Sequence, residues 1–331
     1  MIISKTPYRI SFFGGGTDYP SWYKKNGGSV ISASIDKYIY ISCRTLPPFF
    51  RHKYRIVWSH IETVRKLNQI KHKVVKIMIK RYKIKNGLEI HYDGDLPARS
   101  GMGSSSVFVV GLMNLFNSVK NRKISKKKLA KDSIYFEQKI LKEVVGSQDQ
   151  IAATYGGLNK IIFKTNGNFV VKPIRIKHKI IQKLNKNLLL VYTGYKRTAH
   201  HIAKGYVNKL QTSKKEYILK ISDYAKQAEQ ALEKGKLDKF GKLLNDAWIE
   251  KKKLSLSITN SSIDKIYNKA LKNGALGGKL LGAGGGGFFV FYVPRLKQKK
   301  FTKNFKNFIT IPFKFSFDGS KILFNNLQSK K

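Results

Sequence analysis

The sequence predicts a two-domain protein of the α+β class. Its 331 residues exceed the size at which a single hydrophobic core usually stops growing, and 42% apolar residues are enough to fill two cores. Short strand-like segments dominate residues 1–93, whereas helical periodicity is prominent afterwards. Three glycine-rich turns each adjoin a predicted strand, so we expect these turns to meet at one site.

The first half is predicted to form a mixed sheet followed by helices. Short apolar segments bounded by turn signals predict strands at 8–13, 30–34, 38–43, 54–59, 88–92, 158–163 and 169–171. Apolar residues at helical spacing predict helices at 104–119 and 125–144. A lysine-rich stretch near 175–186 is expected to mark the domain boundary, which gives domains of residues 1–178 and 179–331.

The second half is predicted to begin with a strand at 188–193 and to continue mainly as helices. Helical segments are predicted around 215–234, 237–254 and 262–273. The last glycine cluster follows, and it precedes the apolar run 288–293, which reads as a strand. One more helix and one more strand complete the predicted order.

The composition limits the classes of function. A net charge of +46 is compatible with binding to polyanions, but only eleven of the 65 basic residues are arginine and the lysines are scattered along the chain. We therefore expect salt-sensitive adhesion and no specific nucleic-acid recognition. Cys43 is the only cysteine, which excludes an internal disulfide and a Cys-rich zinc site. No apolar run approaches the roughly 20 residues that span a bilayer, so we expect no membrane insertion and a cytoplasmic location.

The segment at 95–106, D-L-P-A-R-S-G-M-G-S-S-S, leads directly into the predicted helix at 104–119. Glycines let the main chain approach phosphate oxygens, and the free N–H groups and dipole of a helix start favour anions. The segment therefore predicts a phosphate cradle. The alternative is an ordinary serine-capped helix behind a flexible loop.

The other glycine clusters, at 14–16 and 282–287, favour the cradle interpretation. Neither the G-x-x-x-x-G-K-[ST] motif nor a G-x-G-x-x-G motif in a strand–helix turn is present. A different phosphate-binding architecture is therefore required.

Three motifs, in order, resemble those of the GHMP kinase superfamily, which includes galactokinase, homoserine kinase and mevalonate kinase. They are P-Y-R-I-S-F-F-G-G-G-T-D-Y-P from residue 7, D-G-D-L-P-A-R-S-G-M-G-S-S-S from residue 93, and G-G-K-L-L-G-A-G-G-G-G-F from residue 277. The resemblance implies an N-terminal domain like that of ribosomal protein S5, a ferredoxin-like C-terminal domain, and the use of ATP and Mg²⁺.

Within the superfamily, these motifs and V-G-S-Q-D-Q-I-A-A-T-Y-G-G from residue 145 look most like D-glycero-D-manno-heptose 7-phosphate kinases. The resemblance implies phosphorylation of an anomeric hydroxyl, with a sugar phosphate and ATP as small-molecule partners. Another sugar kinase of the fucose or galactose type is the alternative within the fold. Outside it, the alternatives are a polyanion-binding protein or a catalytically silent sensor.

The resemblance assigns the nucleotide and the metal to the cradle and the helix after it. The residues expected to bind ATP are Pro97, Arg99, Ser100, Gly101, Met102, Gly103, Ser104, Ser105 and Ser106. Ser105 and Glu137 match the family's Mg²⁺ ligands, with Ser104 as the less favoured serine. Glu137 shares a helix face with apolar residues, so from the sequence alone a partner lysine or a position at the helix edge explains its carboxylate equally well.

Asp149 and Arg9 match the family's catalytic pair. In this role Asp149 orients or deprotonates the attacking hydroxyl, while Arg9 offsets charge on the transferred phosphoryl group. The alternatives are that Asp149 caps a helix and that Arg9 is a surface charge on a strand.

Sugar recognition is implied for the first and third glycine clusters. The residues expected to bind substrate are Gly14, Gly15, Gly16, Thr17, Asp18, Arg197, Gly284 and Gly285. Galactokinases carry Glu and His where this chain has Gly15 and Gly16, which leaves room for a longer sugar. Arg197 is the candidate for holding a phosphate on the substrate, with Arg99 and Arg51 as alternatives.

Overall fold

The computed structural model describes residues 1–195 and 199–326, which form two β-sheets with helices packed against them. The elements of the first half are β1 (Ile2–Phe13), α1 (Pro20–Asn26), β2 (Gly28–Leu46), β3 (Tyr54–Val57), β4 (Ile61–Val64), a 3₁₀ turn (Leu67–Gln69), α2 (Lys73–Arg81), β5 (Gly87–Gly94), α3 (Ser104–Val119), α4 (Lys126–Tyr135), a π-helical turn (Phe136–Ile140), α5 (Gln148–Tyr155), β6 (Leu158–Phe163) and β7 (Phe169–Pro173).

The second half contains most of the helices. Its elements are α6 (His178–Asn187), β8 (Leu188–Tyr192), α7 (Ala199–Val207), α8 (Lys215–Glu233), α9 (Leu237–Lys252), a 3₁₀ turn (Leu256–Ile258), α10 (Ser261–Lys272), β9 (Gly277–Leu280), β10 (Phe288–Tyr292), α11 (Arg295–Asn304), β11 (Thr310–Ile311) and β12 (Lys321–Asn325). No helix in the described ranges is long and apolar enough to cross a membrane.

The larger sheet has eight strands in the order β12-β1-β2-β5-β3-β4, with β6 pairing to β2 and β7 pairing to β6. The strand pairs are antiparallel except β3 with β5, which is parallel. The smaller sheet has four antiparallel strands in the order β11-β8-β10-β9.

One strand, β2, replaces the two that were predicted at 30–34 and 38–43. The polar residues Asp36 and Lys37 look like a turn in the sequence, but the strand continues through them. Up to Ala33, β2 pairs with β6, and from Ile39 onward it pairs with β5. The polar residues Asp36 and Lys37 therefore lie where β2 exchanges one partner strand for another.

The helix predicted at 125–144 is also wrong in its second part. The α-helical hydrogen bonding of α4 ends at Tyr135 and a π-helical turn follows, in which the Leu141 N–H donates to the Phe136 carbonyl at 2.9 Å. Lys142 then adopts a φ of 57°, which ends the helix. Such π-turns often occur at functional sites, and this one carries Glu137.

Aromatic packing joins β1 of the larger sheet to α9. The ring of Phe240 lies 5.5 Å from that of Phe12 and 5.1 Å from that of Phe13, edge to face in both cases.

The proposed domain boundary at residue 178 stays a prediction. The strand β12 is an exception to it, because this strand comes late in the chain and pairs with β1.

Replacing Phe240 with alanine should destabilise the protein by about 3–5 kcal/mol, because its fully buried ring packs against Phe12 and Phe13 of β1. Urea unfolding followed by circular dichroism measures the change. Leu296→Ala, at a position that is 97% exposed, is the control and should stay within about 0.5 kcal/mol of the parent. Equal effects of both variants would contradict this account of the packing.

Candidate active site

A cavity of about 650 Å³ lies where the end of β1, the start of α3, α5, α9 and the last glycine-rich loop converge. The predicted site residues that line it are Arg9, Gly15, Gly16, Asp18, Arg99, Gly101, Gly103, Ser104, Ser105, Ser106, Asp149 and Gly284. All three glycine clusters therefore meet at one site, as the sequence predicts.

Arg9 and Asp149 form a bidentate ion pair in the cavity wall. The Arg9 Nε and Nη2 atoms donate to the two carboxylate oxygens of Asp149 at 2.7 and 2.6 Å. The Arg9 side chain is only 4% exposed, so the surface-charge alternative is wrong, whereas Asp149 keeps 22% of its side chain exposed. Ser147 precedes the first residue of α5 in the N-cap position, so the capping alternative for Asp149 is wrong too.

The cradle is tied directly to this pair. Arg9 Nη1 donates to the Gly101 carbonyl at 2.8 Å, and a Cβ atom on Gly103 would lie 3.2 Å from the Asp149 carboxylate. Gly103 is the N-cap of α3 with a φ of 78°, and no side chain caps the helix. The serine-capped helix is therefore not the arrangement found here. The first turn leaves its backbone N–H groups available to an anion.

Glu137 lies fully buried beside the start of α3. Gln150 Nε2 donates to one carboxylate oxygen, and the Ser105 hydroxyl donates to the other at 3.5 Å. Burial raises the pKa of Glu137 to about 8. No lysine or arginine in the described ranges forms an ion pair with Glu137, and the residue is fully buried, so the partner-lysine and helix-edge explanations are both wrong.

This arrangement fits Mg²⁺, which binds oxygen ligands and keeps several waters. Glu137 and Ser105 would hold the ion. Gln150 Oε1 is a further buried oxygen with no hydrogen-bond partner among the described residues. The described part of the chain contains no group of three or more His, Cys, Asp or Glu suited to a metal.

Asp18 is buried in the cavity wall beside the start of α5. Its carboxylate accepts the N–H groups of Gly16 at 3.0 Å and Gln148 at 3.4 Å. Burial is the main cause of a pKa above the ordinary aspartate value. A Cβ atom on Gly146 would lie 1.8 Å from this carboxylate, so glycine is required there.

Several predicted contact residues do not line the cavity. Gly14 makes a tight turn with a φ of 80°, and the Thr17 hydroxyl donates to the Gly14 and Ser29 carbonyls. Both residues therefore stabilise the first glycine-rich loop. Met102 is fully buried in the core and Ser100 is buried below the last glycine-rich loop, where its carbonyl accepts the Phe288 N–H at 3.1 Å.

Four further predicted residues are also absent from the cavity wall: Pro97, which is exposed, Glu137, which is fully buried, Gly285 and Arg51. Arg51 lines a separate cavity near β3 and β5, so it cannot hold a substrate phosphate at this site. Arg197 lies outside the described residues.

Two buried lysines in the cavity wall were not predicted. Lys279 Nζ donates to the Ser11 and Phe12 carbonyls at 3.0 and 3.1 Å. Burial is the main cause that lowers the pKa of Lys279 to about 7, and the positive charge of Arg9 adds to it. Lys251 Nζ donates to the Leu280 and Gly282 carbonyls at 2.8 and 2.6 Å. Burial and the neighbouring Lys279 lower the pKa of Lys251 well below the ordinary lysine value. In a lysine-rich chain neither position stands out, although Lys279 follows two glycines in a buried strand.

Comparison with known proteins identifies the family. Residues 68–157 match the family model of the GHMP kinases N terminal domain, and residues 228–307 match that of the GHMP kinases C terminal domain. A D-glycero-alpha-D-manno-heptose 7-phosphate kinase of Campylobacter jejuni is 31% identical over 320 residues, covering 91% of this chain and 92% of the relative. The chain belongs to the GHMP kinase superfamily.

Solved GHMP kinases resemble this one over nearly its whole length. A D-glycero-D-manno-heptose 1-phosphate kinase from Bacteroides thetaiotaomicron has a TM-score of 0.80 and 25% identity, covering 98% of this chain and 99% of that chain. Mevalonate kinase of Methanococcus jannaschii shares the fold, with a TM-score of 0.71 and 23% identity over 95% and 98% of the two chains. The predicted family and fold are confirmed, and this GHMP sugar kinase is a phosphotransferase with an alcohol acceptor.

Asp149→Asn should lower kcat at least about 100-fold, because the amide cannot take the acceptor's proton. The melting temperature should fall by only a few degrees, since Asn keeps one acceptor for Arg9 and residue 149 does not cap α5. Steady-state kinetics and calorimetry test both parts. Asp132→Asn, which removes a surface pair with Lys128, is the control and should change neither quantity appreciably. Retained turnover in Asp149→Asn would remove this carboxylate from the chemistry.

Glu137→Gln should raise the Mg²⁺ concentration needed for half-maximal activity about tenfold or more, because it removes the charged ligand. Glu216→Gln, at an exposed pair with Lys220, is the control. Unchanged metal dependence in Glu137→Gln would contradict the assignment.

The same substitution should change how stability depends on pH. The pKa of Glu137 in the folded protein is about 8, above its ordinary value. Between these two pKa values the folded state keeps a proton that the unfolded state has released, so the protein loses stability as pH rises towards 8. Without Mg²⁺, the melting temperature of the parent should fall relative to that of Glu137→Gln between pH 5 and 9. Parallel curves for the two proteins would show that the carboxyl does not titrate in this way.

Proposed function

We propose that this GHMP kinase transfers the γ-phosphoryl group of ATP to the anomeric hydroxyl of D-glycero-α-D-manno-heptose 7-phosphate. The product would be the 1,7-bisphosphate, as a step towards GDP-heptose for a surface polysaccharide. A cytoplasmic location agrees with the use of ATP. The relative from Campylobacter jejuni, similar over nine-tenths of both chains, is the main support for this substrate class.

The observation that supports the kinase chemistry is the hydrogen bond from the Arg9–Asp149 pair to the Gly101 carbonyl of the phosphate cradle. In the proposed reaction, the sugar hydroxyl forms a bond to the γ-phosphorus while the bond from that phosphorus to ADP breaks. Asp149 accepts the hydroxyl proton, and Arg9 offsets negative charge on the transferred group. Mg²⁺, when bound, would neutralise charge on the phosphates.

The wall that faces the acceptor suits an anionic sugar. Lys251 and Lys279 are buried amino groups whose hydrogen-bond acceptors are backbone carbonyls, and an anionic group of the substrate would favour their protonated form. Arg99 also lines the cavity and remains a candidate for holding the substrate's phosphate. Arg197 keeps that role as a prediction from the sequence.

The names of the two heptose-kinase relatives place the substrate phosphate differently, on carbon 7 in one and on carbon 1 in the other. The deciding experiment measures ADP release with ATP and Mg²⁺ against free sugars, heptose 1-phosphate and heptose 7-phosphate, with ³¹P NMR of the product. We expect a new anomeric phosphate on heptose 7-phosphate alone. Turnover of heptose 1-phosphate, fucose or galactose instead would overturn the proposed substrate.

The polyanion-binding alternative is tested in the same preparation. We expect binding to a DNA duplex to fall steeply between about 50 and 200 mM salt, because scattered lysines bind through counterion release. Sugar phosphorylation should change much less over that range. Salt-resistant DNA binding without any sugar turnover would favour a polyanion-binding protein that is not an enzyme.

A further inference from the structure

A second cavity, of about 790 Å³, lies away from the kinase site and within the size range of small-molecule sites. Phe50, Arg51, Lys53 and Arg65 line it, between the chain that joins β2 to β3, the end of β4 and the start of β5. We name it the distal cavity. The phosphate cradle follows the other end of β5, a strand of roughly 25 Å, and no described residue lines both cavities.

The charged side chains in the wall of the distal cavity are all basic. Arg51, Lys53 and Arg65 line it together with His52, whereas no aspartate or glutamate of the described chain does. None of the first three is ion-paired with a described residue. A cavity lined by one sign of charge concentrates counter-ions, so this cavity favours an anion.

The carboxylates that are close by in the sequence are already used. Glu89 on β5 pairs with Arg44 and Arg55 at 2.5 and 2.8 Å. Glu62 is the only acidic residue within 44–65, and it accepts the two backbone N–H groups that precede α2. Neither carboxylate is left to balance the charge of the distal cavity.

Arginine is concentrated in this part of the chain. Only eleven of the 65 basic residues are arginine, yet four of the eleven fall within residues 44–65, and Arg51 and Arg65 line the cavity. A planar guanidinium matches two oxygens of a phosphate, which a lysine ammonium cannot do. In a chain so rich in lysine, this choice of side chain indicates phosphate recognition.

Arg51 and Arg65 are tied to each other through the backbone. Arg65 Nε donates to the Arg51 carbonyl at 3.1 Å, which fixes the two segments that carry the guanidinium groups. Their remaining guanidinium N–H groups form no hydrogen bond with any described residue. These donors are therefore available to a bound anion.

The rest of the wall is largely apolar and suits a flat ring. Leu46, Pro47, Pro48 and Phe50 line it, and the Phe50 ring packs 4.8 Å from that of Phe49, which is 78% exposed. Aromatic rings of this kind bind nucleobases by stacking, whatever the base. A cavity with phosphate-binding arginines at one part of its wall and an aromatic surface at another can hold both ends of a nucleotide.

We propose that the distal cavity binds a nucleoside phosphate, with the phosphates on Arg51, Lys53 and Arg65 and the base on Phe50. A mononucleotide fits better than a nucleic-acid strand, because these cations converge on one cavity and form no stripe along the surface. The site is independent of the cradle and of the sugar that the kinase accepts.

The first test counts bound ADP by equilibrium dialysis at about 150 mM salt, where adhesion to scattered lysines is weak. We expect Arg51→Gln combined with Arg65→Gln to bind one ADP fewer per chain than the parent, or to bind that ADP at least about 10-fold more weakly. Arg122→Gln combined with Arg175→Gln is the control. It removes the same charge from exposed positions that line neither cavity, so it should bind as many ADP molecules as the parent.

The difference between the parent and the double variant tests the distal cavity, whatever binds at the cradle. A failed kinase assay therefore leaves this test intact. Thermal unfolding shows whether the double variant is folded, and at low salt its melting temperature should equal or exceed that of the parent because two unpaired cations are removed. Equal ADP counts in the double variant and in the control would overturn the proposal.

Phe50→Leu separates the base from the phosphates. Leucine keeps an apolar side chain but cannot stack, so we expect ADP to bind the distal cavity about 5-fold more weakly or worse, while competition by inorganic phosphate is unchanged. Phe317→Leu, at a position that is 59% exposed and outside both cavities, is the control. If inorganic phosphate binds the parent as tightly as ADP does, the base contributes nothing and the site is not one for nucleotides.

Photolabelling with 8-azido-ADP locates the ligand directly. Mass spectrometry of the labelled parent should find the label on a peptide that contains residues 45–53, and excess ADP should remove it. Label confined to the kinase cavity would overturn the proposal. So would a single-stranded oligonucleotide that binds far more tightly than ADP through the same arginines, because the site would then belong to a nucleic acid.

Discussion

The bidentate pair of Arg9 and Asp149 is the interaction on which the arrangement of the site depends. Arg9 is buried, and a buried guanidinium is costly unless its donors are used, which they are here by Asp149 and by the Gly101 carbonyl. These contacts join β1, α5 and the cradle in front of α3. A single arginine thus fixes the position of the Asp149 carboxylate relative to the glycine-rich turn in front of α3.

Close backbone contacts keep the cradle in place from the other half of the chain. A Cβ atom on Gly101 would lie 2.4 Å from the Leu281 carbonyl, and one on Gly287 would lie 2.2 Å from the Ser100 carbonyl. Lys251 holds the same loop through the Leu280 and Gly282 carbonyls. The last glycine-rich loop therefore acts mainly as a backbone support for the cradle.

The local pattern was sufficient to predict much of the fold, and the helix Ser104–Val119 and the strand Leu158–Phe163 have the predicted bounds. It was insufficient where tertiary contacts decide the structure. The strand β2 continues through Asp36, where its partner changes from β6 to β5, and the π-turn at Glu137 interrupts a regular helical pattern. Family motifs predicted that Arg9 and Asp149 belong to one site, and the structure brings them together. Lys251 could not be recognised among so many lysines, because only the folded chain shows which lysine is buried.

The pairing of β12 with β1 has a consequence for the way the protein folds. Lys5 on β1 lies opposite Lys321 on β12, so two neighbouring strands are separated by nearly the whole chain. Contacts of such long sequence separation close a large loop and form slowly. During synthesis, β1 would emerge from the ribosome long before this partner, with one edge left open to other chains. The larger sheet therefore depends on late translation for its last strand, even though the strand that carries Arg9 is made first.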